Sequence, residues 1–129
     1  MRPLSPDDLL TIHQTVIDKT GGSHGLRDPG MLAAIAAKPA ASYGGEYLYP
    51  DIFSQAAAIY EAVVNYHVFV DGNKRTAIAA LGLFLNQNNF DLTAANLELE
   101  EFTLKIATTH PDLADVAAWT QTNSQTLRI

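Results

Sequence analysis

The sequence predicts an all-α protein, a compact helical bundle forming one domain around a central buried helix. Three observations carry that expectation. Helix-starting signals recur at Ser5-Pro6-Asp7-Asp8, Asp28-Pro29 and Asp51, where a hydroxyl or carboxylate can accept from the free N–H groups of a first turn. The apolar residues that follow keep the three- and four-residue spacing of a helix face. No segment sustains the period-two alternation of a half-buried strand. A chain of 129 residues suits one domain with one core, so the expected domain is residues 1–129.

The elements follow in order. Ser5, Pro6 and Asp8 are placed as a capping serine, a first-position proline and an acid three residues on. Leu9, Leu10, Ile12, Val16 and Ile17 then keep helical spacing until Gly21-Gly22 stops the helix. Asp28-Pro29 starts a second, short helix through Met31, Leu32 and Ile35 that Pro39 ends. Residues 40–51, rich in Gly, Tyr and Pro, read as an ordered loop. A short hairpin around Tyr43–Tyr49 is the one piece of sheet expected. Asp51 caps a third helix, with Ile52, Ala56, Ile59, Val63 and His67 on one stripe. After a break at Asp71-Gly72 the fourth helix runs from about Asn73 to Asn88. It is apolar on nearly every side from Ala77 to Leu85, and a helix without a polar face belongs in the middle of a fold. Amphipathic helices near Ala95–Thr109 and Pro111–Thr122 complete the bundle.

Composition narrows the function. With 47% hydrophobic and 17% charged residues the chain is balanced like an ordinary globular protein. The absence of cysteine excludes disulfides, thiolate metal sites and a cysteine nucleophile, and it fits a reducing cytoplasm. The net charge of −6, with its cations scattered, argues against direct nucleic-acid binding through phosphate contacts. The N-terminus has no apolar signal core, and the run Ala77–Leu85 is far short of the ~20 residues a membrane span needs. The expected location is therefore the cytoplasm, with no membrane association.

Chemistry concentrates between the third and fourth helices, where nine residues hold His67, Asp71, Asn73, Lys74 and Arg75. Each has an ordinary structural explanation: a core histidine, a helix-capping aspartate, a turn asparagine and two solvated cations. Their combination says more. Lys74 and Arg75 stand in the first turn of a helix, where the macrodipole favours anions by ~0.3–1 kcal/mol. Adjacent cations there make sense if an anion such as phosphate sits between them and the free backbone N–H groups. Gly72, lacking a Cβ, lets that backbone approach closely. Asp71 supplies the single carboxylate that suffices for a phosphate-bound Mg²⁺. Histidine is the usual general base for a hydroxyl nucleophile, and His67 supplies one. These are the parts of phosphoryl transfer. A Walker P-loop is excluded, because Gly72-Asn73-Lys74 lacks the spaced glycine and Lys-Ser/Thr pair and follows a helix.

The segment resembles the Fic/death-on-curing superfamily, whose motif is His-x-Phe-x-Asp/Glu-Gly-Asn-Gly-Arg-x-x-Arg. His67, Phe69, Asp71, Gly72, Asn73 and Arg75 match in register, while Lys74 replaces the motif's third glycine and Ile78 its second arginine. Both departures are similar to the death-on-curing (Doc) branch, whose motif ends Asn-Lys-Arg. Residues 21–30, Lys38-Pro39, Gly44-Gly45-Glu46 through Tyr49-Pro50 and the apolar helix ending Leu85-Asn86 also look like that branch.

The resemblance implies the toxin of a type II toxin–antitoxin pair. It would transfer phosphate from ATP, with Mg²⁺, to a threonine of elongation factor Tu and so halt translation. Its other partner would be the C-terminal helical segment of a cognate antitoxin. Carried over by residue, His67 is the base and Asp71 the Mg²⁺ ligand. Gly72, Asn73, Lys74 and Arg75 grip the phosphates, and Phe69 anchors the loop. Fic proteins with the glycine transfer AMP instead. Lys74 fills the space in which a backbone would wrap an α-phosphate, and Ile78 removes a phosphate contact, so both favour phosphate transfer. The alternatives are AMP transfer to a protein hydroxyl and an antitoxin-binding module without significant catalysis. The loop Ser42–Pro50 reads either as a flap pairing with an extended target segment or as an aromatic loop packed on the core. His13 is expected to be structural or antitoxin-facing, and His24 and His110 carry no pattern.

Overall fold

Three helices begin where a side chain closes their first turn, as the computed structural model shows for residues 1–127, the residues it describes. Helix α1 (Pro6–Thr20) starts on a reciprocal pair: Ser5 Oγ accepts from the Asp8 N–H at 3.0 Å and Asp8 Oδ2 accepts from the Ser5 N–H at 2.8 Å. Helix α2 (Pro29–Ala37) starts on Asp28, which accepts from the Met31 N–H at 3.0 Å. Helix α3 (Ile52–Asn65) starts on Asp51, which accepts from the Ser54 N–H at 2.9 Å. Each such cap contributes ~1 kcal/mol. A 3-10 turn, Lys38–Ala40, follows α2 at the proline that cannot continue it. Helices α4 (Asn73–Gln87), α5 (Asn96–Thr109) and α6 (Leu113–Thr122) complete the helical set.

The expected hairpin is present: β1 (Ser42–Tyr43) pairs antiparallel with β2 (Glu46–Tyr47) across Gly44-Gly45, and all four strand residues are exposed. A second pair lies outside the sequence expectation. β3 (Phe90–Leu92) runs antiparallel to β4 (Ser124–Thr126), with Phe90 opposite Thr126 and Leu92 opposite Ser124. Three residues are too few to display an alternation, and the pairing partners follow different helices. The pair fastens the segment after α6 to the turn after α4.

The centre of the bundle is shared by two helices. Helix α4 buries Thr76, Ala77, Ala80, Leu81, Phe84 and Leu85, but leaves Leu83 42% exposed and Ile78 half-buried. Helix α3 is the more enclosed, with Ala56 through Tyr60 and Ala62, Val63 and Val64 all buried. Alanines at 56, 57, 58, 62, 77 and 80 keep these two helices slim where they lie in the core, while Tyr60, Phe84 and Leu81 fill the space around them. Each large buried side chain stabilises by roughly 1.5–3 kcal/mol through transfer from water. Helix α1 covers this centre with Leu9, His13 and Ile17, one face at i, i+4 and i+8. Among the described residues no helix is long and apolar enough to cross a membrane.

Candidate active site

The site begins where α3 stops. Tyr66 closes the helix through its N–H to the Ala62 carbonyl, and His67 takes a left-handed backbone conformation, φ +49°. That reversal lets Val68 and Phe69 occupy the core, at 0% and 1% exposure, and projects His67 outward. The expected place of His67 on the α3 stripe is therefore corrected, and with it the core-histidine explanation. The helix ends two residues before that position, and two better apolar residues follow it inward.

Phe69 is pinned on every side. Its N–H donates to Asn73 Oδ1 at 3.0 Å and its carbonyl accepts from Asn73 Nδ2 at 2.9 Å. Its ring lies parallel to that of His13, with centroids 3.9 Å apart and planes within 2°. The segment between α1 and α2 runs alongside. The Arg27 N–H donates to the Val68 carbonyl at 2.8 Å, the Val70 N–H to the Gly25 carbonyl at 3.0 Å, and Leu26 bridges Phe69. The side chain of Asn73, expected on the phosphates, is thus engaged within the loop, and what it offers a ligand is its backbone N–H.

Helix α4 then opens without a side-chain cap. Its N-cap is Gly72, left-handed at φ +74° and ψ +20°, not Asp71. A Cβ at Gly72 would stand 2.8 Å from Ile17 Cδ1, so the close seat against α1 and the positive φ both require glycine. The first-turn N–H groups of a helix have no intrahelical acceptors, and here they face outward together with the positive end of the dipole. Such an end takes an anion.

Asp71 sits immediately before it. Oδ1 accepts from the Gly72 N–H at 2.8 Å and lies 3.7 Å from Arg75 Nη2, while Oδ2 accepts from the Ser23 N–H at 3.1 Å. The Ser23 and Gly72 N–H groups, with the Arg75 charge behind them, hold the Asp71 carboxyl below its ordinary range. It is ionised, and its side chain remains 47% exposed. Arg75 does not point freely at the site. Its Nη1 donates to the Gly21 carbonyl at 2.8 Å and to Thr20 Oγ1, binding the end of α1 to the start of α4. Lys74 is exposed, and its ammonium makes no ion pair or hydrogen bond among the described residues.

These residues surround one cleft of about 260 Å³, lined by Val64, His67, Val70, Asp71, Gly72, Asn73, Lys74 and Arg75. His67, Asp71, Gly72, Asn73, Lys74 and Arg75, the residues the sequence singled out for catalysis and phosphate binding, all line it. The arrangement offers an exposed imidazole, an ionised carboxylate, an ammonium unpaired among the described residues and a helix N-terminus on a common space. A divalent cation fits its donor chemistry. Asp71 Oδ2 accepts a single hydrogen bond and has a lone pair to spare, and Mg²⁺ is commonly held by one carboxylate with phosphate and water oxygens. No cluster of three His, Cys, Asp or Glu exists among the described residues, so an all-protein cage is not the design.

Three contributors escaped the sequence. His13 is 4% exposed, and its Nε2 lies 2.8 Å from the Asp71 carbonyl. It faces the loop and not solvent. Gly22 touches Asp71 so closely that a Cβ there would stand 2.5 Å from Oδ2. Thr20 receives Arg75. The spacing of His13 between Leu9 and Ile17 marks it as inward-facing, but nothing local marks what it meets.

Comparison with known proteins accords with this geometry. The Fic/DOC family model matches residues 3–85, a span that contains α1 through most of α4 and every cleft residue. The chain is 37% identical over 118 residues to a protein named Toxin Doc from Mycolicibacterium smegmatis, covering 89% of this chain and 88% of that one. It is 34% identical over 117 residues to the protein kinase doc of Escherichia phage P1, covering 91% of each. A match to more than half the chain, joined to relatives aligned over nearly their whole length, settles the kinship: this protein belongs to the Fic/DOC family.

Proposed function

We propose that residues 1–129 form one Doc-type toxin domain that transfers the γ-phosphate of ATP to a hydroxyl of a protein. The single observation that carries this reading is the shared cleft, in which His67, Asp71 and Lys74 face the uncapped N-terminus of α4. A ring nitrogen of His67 takes the proton of the target hydroxyl. The hydroxyl oxygen then bonds to the γ-phosphorus as its bond to the bridging oxygen breaks, and ADP leaves. Lys74, the first-turn N–H groups and Arg75 behind them face the phosphate charge. Asp71 would hold Mg²⁺, which neutralises the phosphates when bound. At about 260 Å³ the cleft lies below the roughly 300–1,000 Å³ of sites that enclose a whole drug-sized ligand. It suits the phosphate end of a nucleotide, leaving the hydroxyl donor to enter from solvent.

Lys74 and Ile78 support phosphate over AMP transfer. Lys74 brings an ammonium, unpaired among the described residues, to the cleft, and Ile78, packed against the core, stands where the AMP-transferring motif that the segment resembles has an arginine. A threonine of elongation factor Tu is the proposed acceptor, and a cognate antitoxin with a helical C-terminal segment the proposed partner. Both rest on the family resemblance, to which the name Toxin Doc of the mycobacterial relative lends support.

The test is a paired labelling of purified elongation factor Tu with γ- and α-labelled ATP and Mg²⁺. Label from the γ position alone is expected. His67→Ala should lower it by ~10²–10⁴-fold, the usual contribution of a general base, with Tm unchanged because the ring is exposed. Label from the α position would replace phosphate transfer by AMP transfer. Full activity in His67→Ala would remove the base.

A further inference from the structure

Helix α1 makes a series of contacts with the start of α4, and one of them has no counterpart in the motif. His13 is buried within the α1 face formed by Leu9 and Ile17. Its Nε2 lies 2.8 Å from the Asp71 carbonyl, and its ring stacks flat on Phe69. A carbonyl oxygen only accepts, so Nε2 carries the proton and donates. The histidine therefore touches the two loop residues, 69 and 71, that bracket the exposed Val70. It does not line the cleft.

The geometry points to His13 as a positioning residue for the reaction, one that sets the backbone of Asp71 through its Nε2–H. This inference rests on the phosphotransfer reading above. Asp71 is the pivot of the loop. Its carbonyl is held by His13 at 2.8 Å, its Oδ2 by the Ser23 N–H at 3.1 Å, and the next residue must be left-handed for α4 to begin. Without the Nε2–H donor, the peptide between Asp71 and Gly72 can rotate. Rotation carries away the Gly72 N–H that holds Asp71 Oδ1 at 2.8 Å and so re-aims the carboxylate, while the N–H groups of Asn73, Lys74 and Arg75 lie beyond that peptide. The ammonium of Lys74 and the exposed ring of His67 have no contact with His13 and stay in place. Loss of the donor thus spares nucleotide binding and impairs the chemical step, where a misplacement on the order of 1 Å is worth ~10²-fold.

Two variants separate donor from ring. His13→Phe keeps an aromatic ring against Phe69 and removes the N–H, whereas His13→Gln keeps an amide N–H at similar reach and removes the ring. In His13→Phe we expect kcat for phosphate transfer to fall ~10–100-fold, with the KM for ATP within about threefold of wild type. His13→Gln should retain most of kcat. In parallel, amide hydrogen exchange at Phe69 and Val70, whose N–H groups donate to Asn73 Oδ1 and the Gly25 carbonyl, should quicken at least tenfold in His13→Phe and stay near wild type in His13→Gln. This readout needs no activity. If the wild-type protein transfers neither phosphate nor AMP, the phosphotransfer reading fails while exchange still decides the role of His13. Unchanged kcat and unchanged exchange in folded His13→Phe would overturn the inference. So would a folded His13→Gln that loses transfer tenfold or more, and that result counts even if the phenylalanine variant does not fold.

Discussion

Gly22→Ala tests how closely the segment after α1 is fitted to Asp71. Gly22 has φ +115°, and a Cβ there would stand 2.5 Å from Asp71 Oδ2 and 3.3 Å from its Cγ. Two effects follow. The backbone conformation itself becomes strained, by ~1–3 kcal/mol for a side chain in so sparse a region. At roughly 3–6 °C per kcal/mol for a domain of this size, Tm falls by roughly 3–18 °C. The clash is separate. Non-bonded contacts of carbon settle near ~3.5 Å, so the carboxylate must retreat by on the order of 1 Å. A displacement of that size lowers kcat by ~10²-fold. Gly21→Ala provides the control, since Gly21 has φ +85° and no atom within 4 Å of its would-be Cβ. It carries the backbone strain without the clash. The assay is steady-state phosphate transfer, with Tm measured on the same preparations. Comparable losses of Tm are expected in both variants, with kcat lost in Gly22→Ala alone. A folded Gly22→Ala whose kcat stays within threefold of Gly21→Ala would refute the claim that this contact sets the carboxylate.

Further outcomes follow from other contacts. Asn73→Ala strips both polar groups of Phe69 of their partners and should cost about 1–3 kcal/mol in denaturant titration; a smaller effect would mean that water replaces the amide. Thr76 is 0% exposed, and its hydroxyl has no hydrogen-bond partner among the described residues, so Thr76→Val should raise Tm or leave it unchanged, and a drop of several degrees would contradict that. Tyr60 is buried with its hydroxyl against Thr103 Oγ1, and burial pushes its pKa up to about 12. Because the folded value is raised, its stabilising contribution is complete below about pH 10. It then fades as pH rises toward 12, by ~2–3 kcal/mol, while the unfolded chain's tyrosine ionises. Stability curves from pH 9 to 12 should show that slope in the wild type and a shallower one in Tyr60→Phe. Equal slopes would assign it elsewhere.

What was legible in the sequence acts over short range. Ser5, Asp28 and Asp51 satisfy N–H groups three residues ahead, so their residue types and spacing announce three helix starts. Gly72 announces close backbone approach and a left-handed turn because it lacks a Cβ. The chemical inventory of the cleft was legible too, because His67, Asp71, Lys74 and Arg75 lie within nine residues and the charge order contradicts the helix dipole. What stayed hidden depends on partners far along the chain. His13 meets Asp71 across 58 positions, and Thr20 meets Arg75 across 55. The β3–β4 pair joins segments too short to carry a pattern. His67 was misplaced for a related reason. Helical spacing extends the α3 stripe to it, but the burial of Val68 and Phe69 wins, and two apolar side chains outweigh one more turn of helix.

The hairpin β1–β2 carries a consequence of a different kind. Ser42, Tyr43, Glu46 and Tyr47 are all solvent-facing, with Tyr43 at 84% and Tyr47 at 62% exposure. None belongs to the hydrophobic core. Exposed substitutions of this sort usually shift stability by no more than ±0.5 kcal/mol. The cleft is the opposite, because its glycines and Phe69 are wedged against α1 and leave almost no room for change. The four strand residues can therefore be rewritten one by one without unfolding the protein, while the chemistry of the cleft stays fixed. A library randomised at residues 42, 43, 46 and 47, with the positive-φ glycines 44 and 45 kept, would remain folded, and selection on it would act on recognition alone.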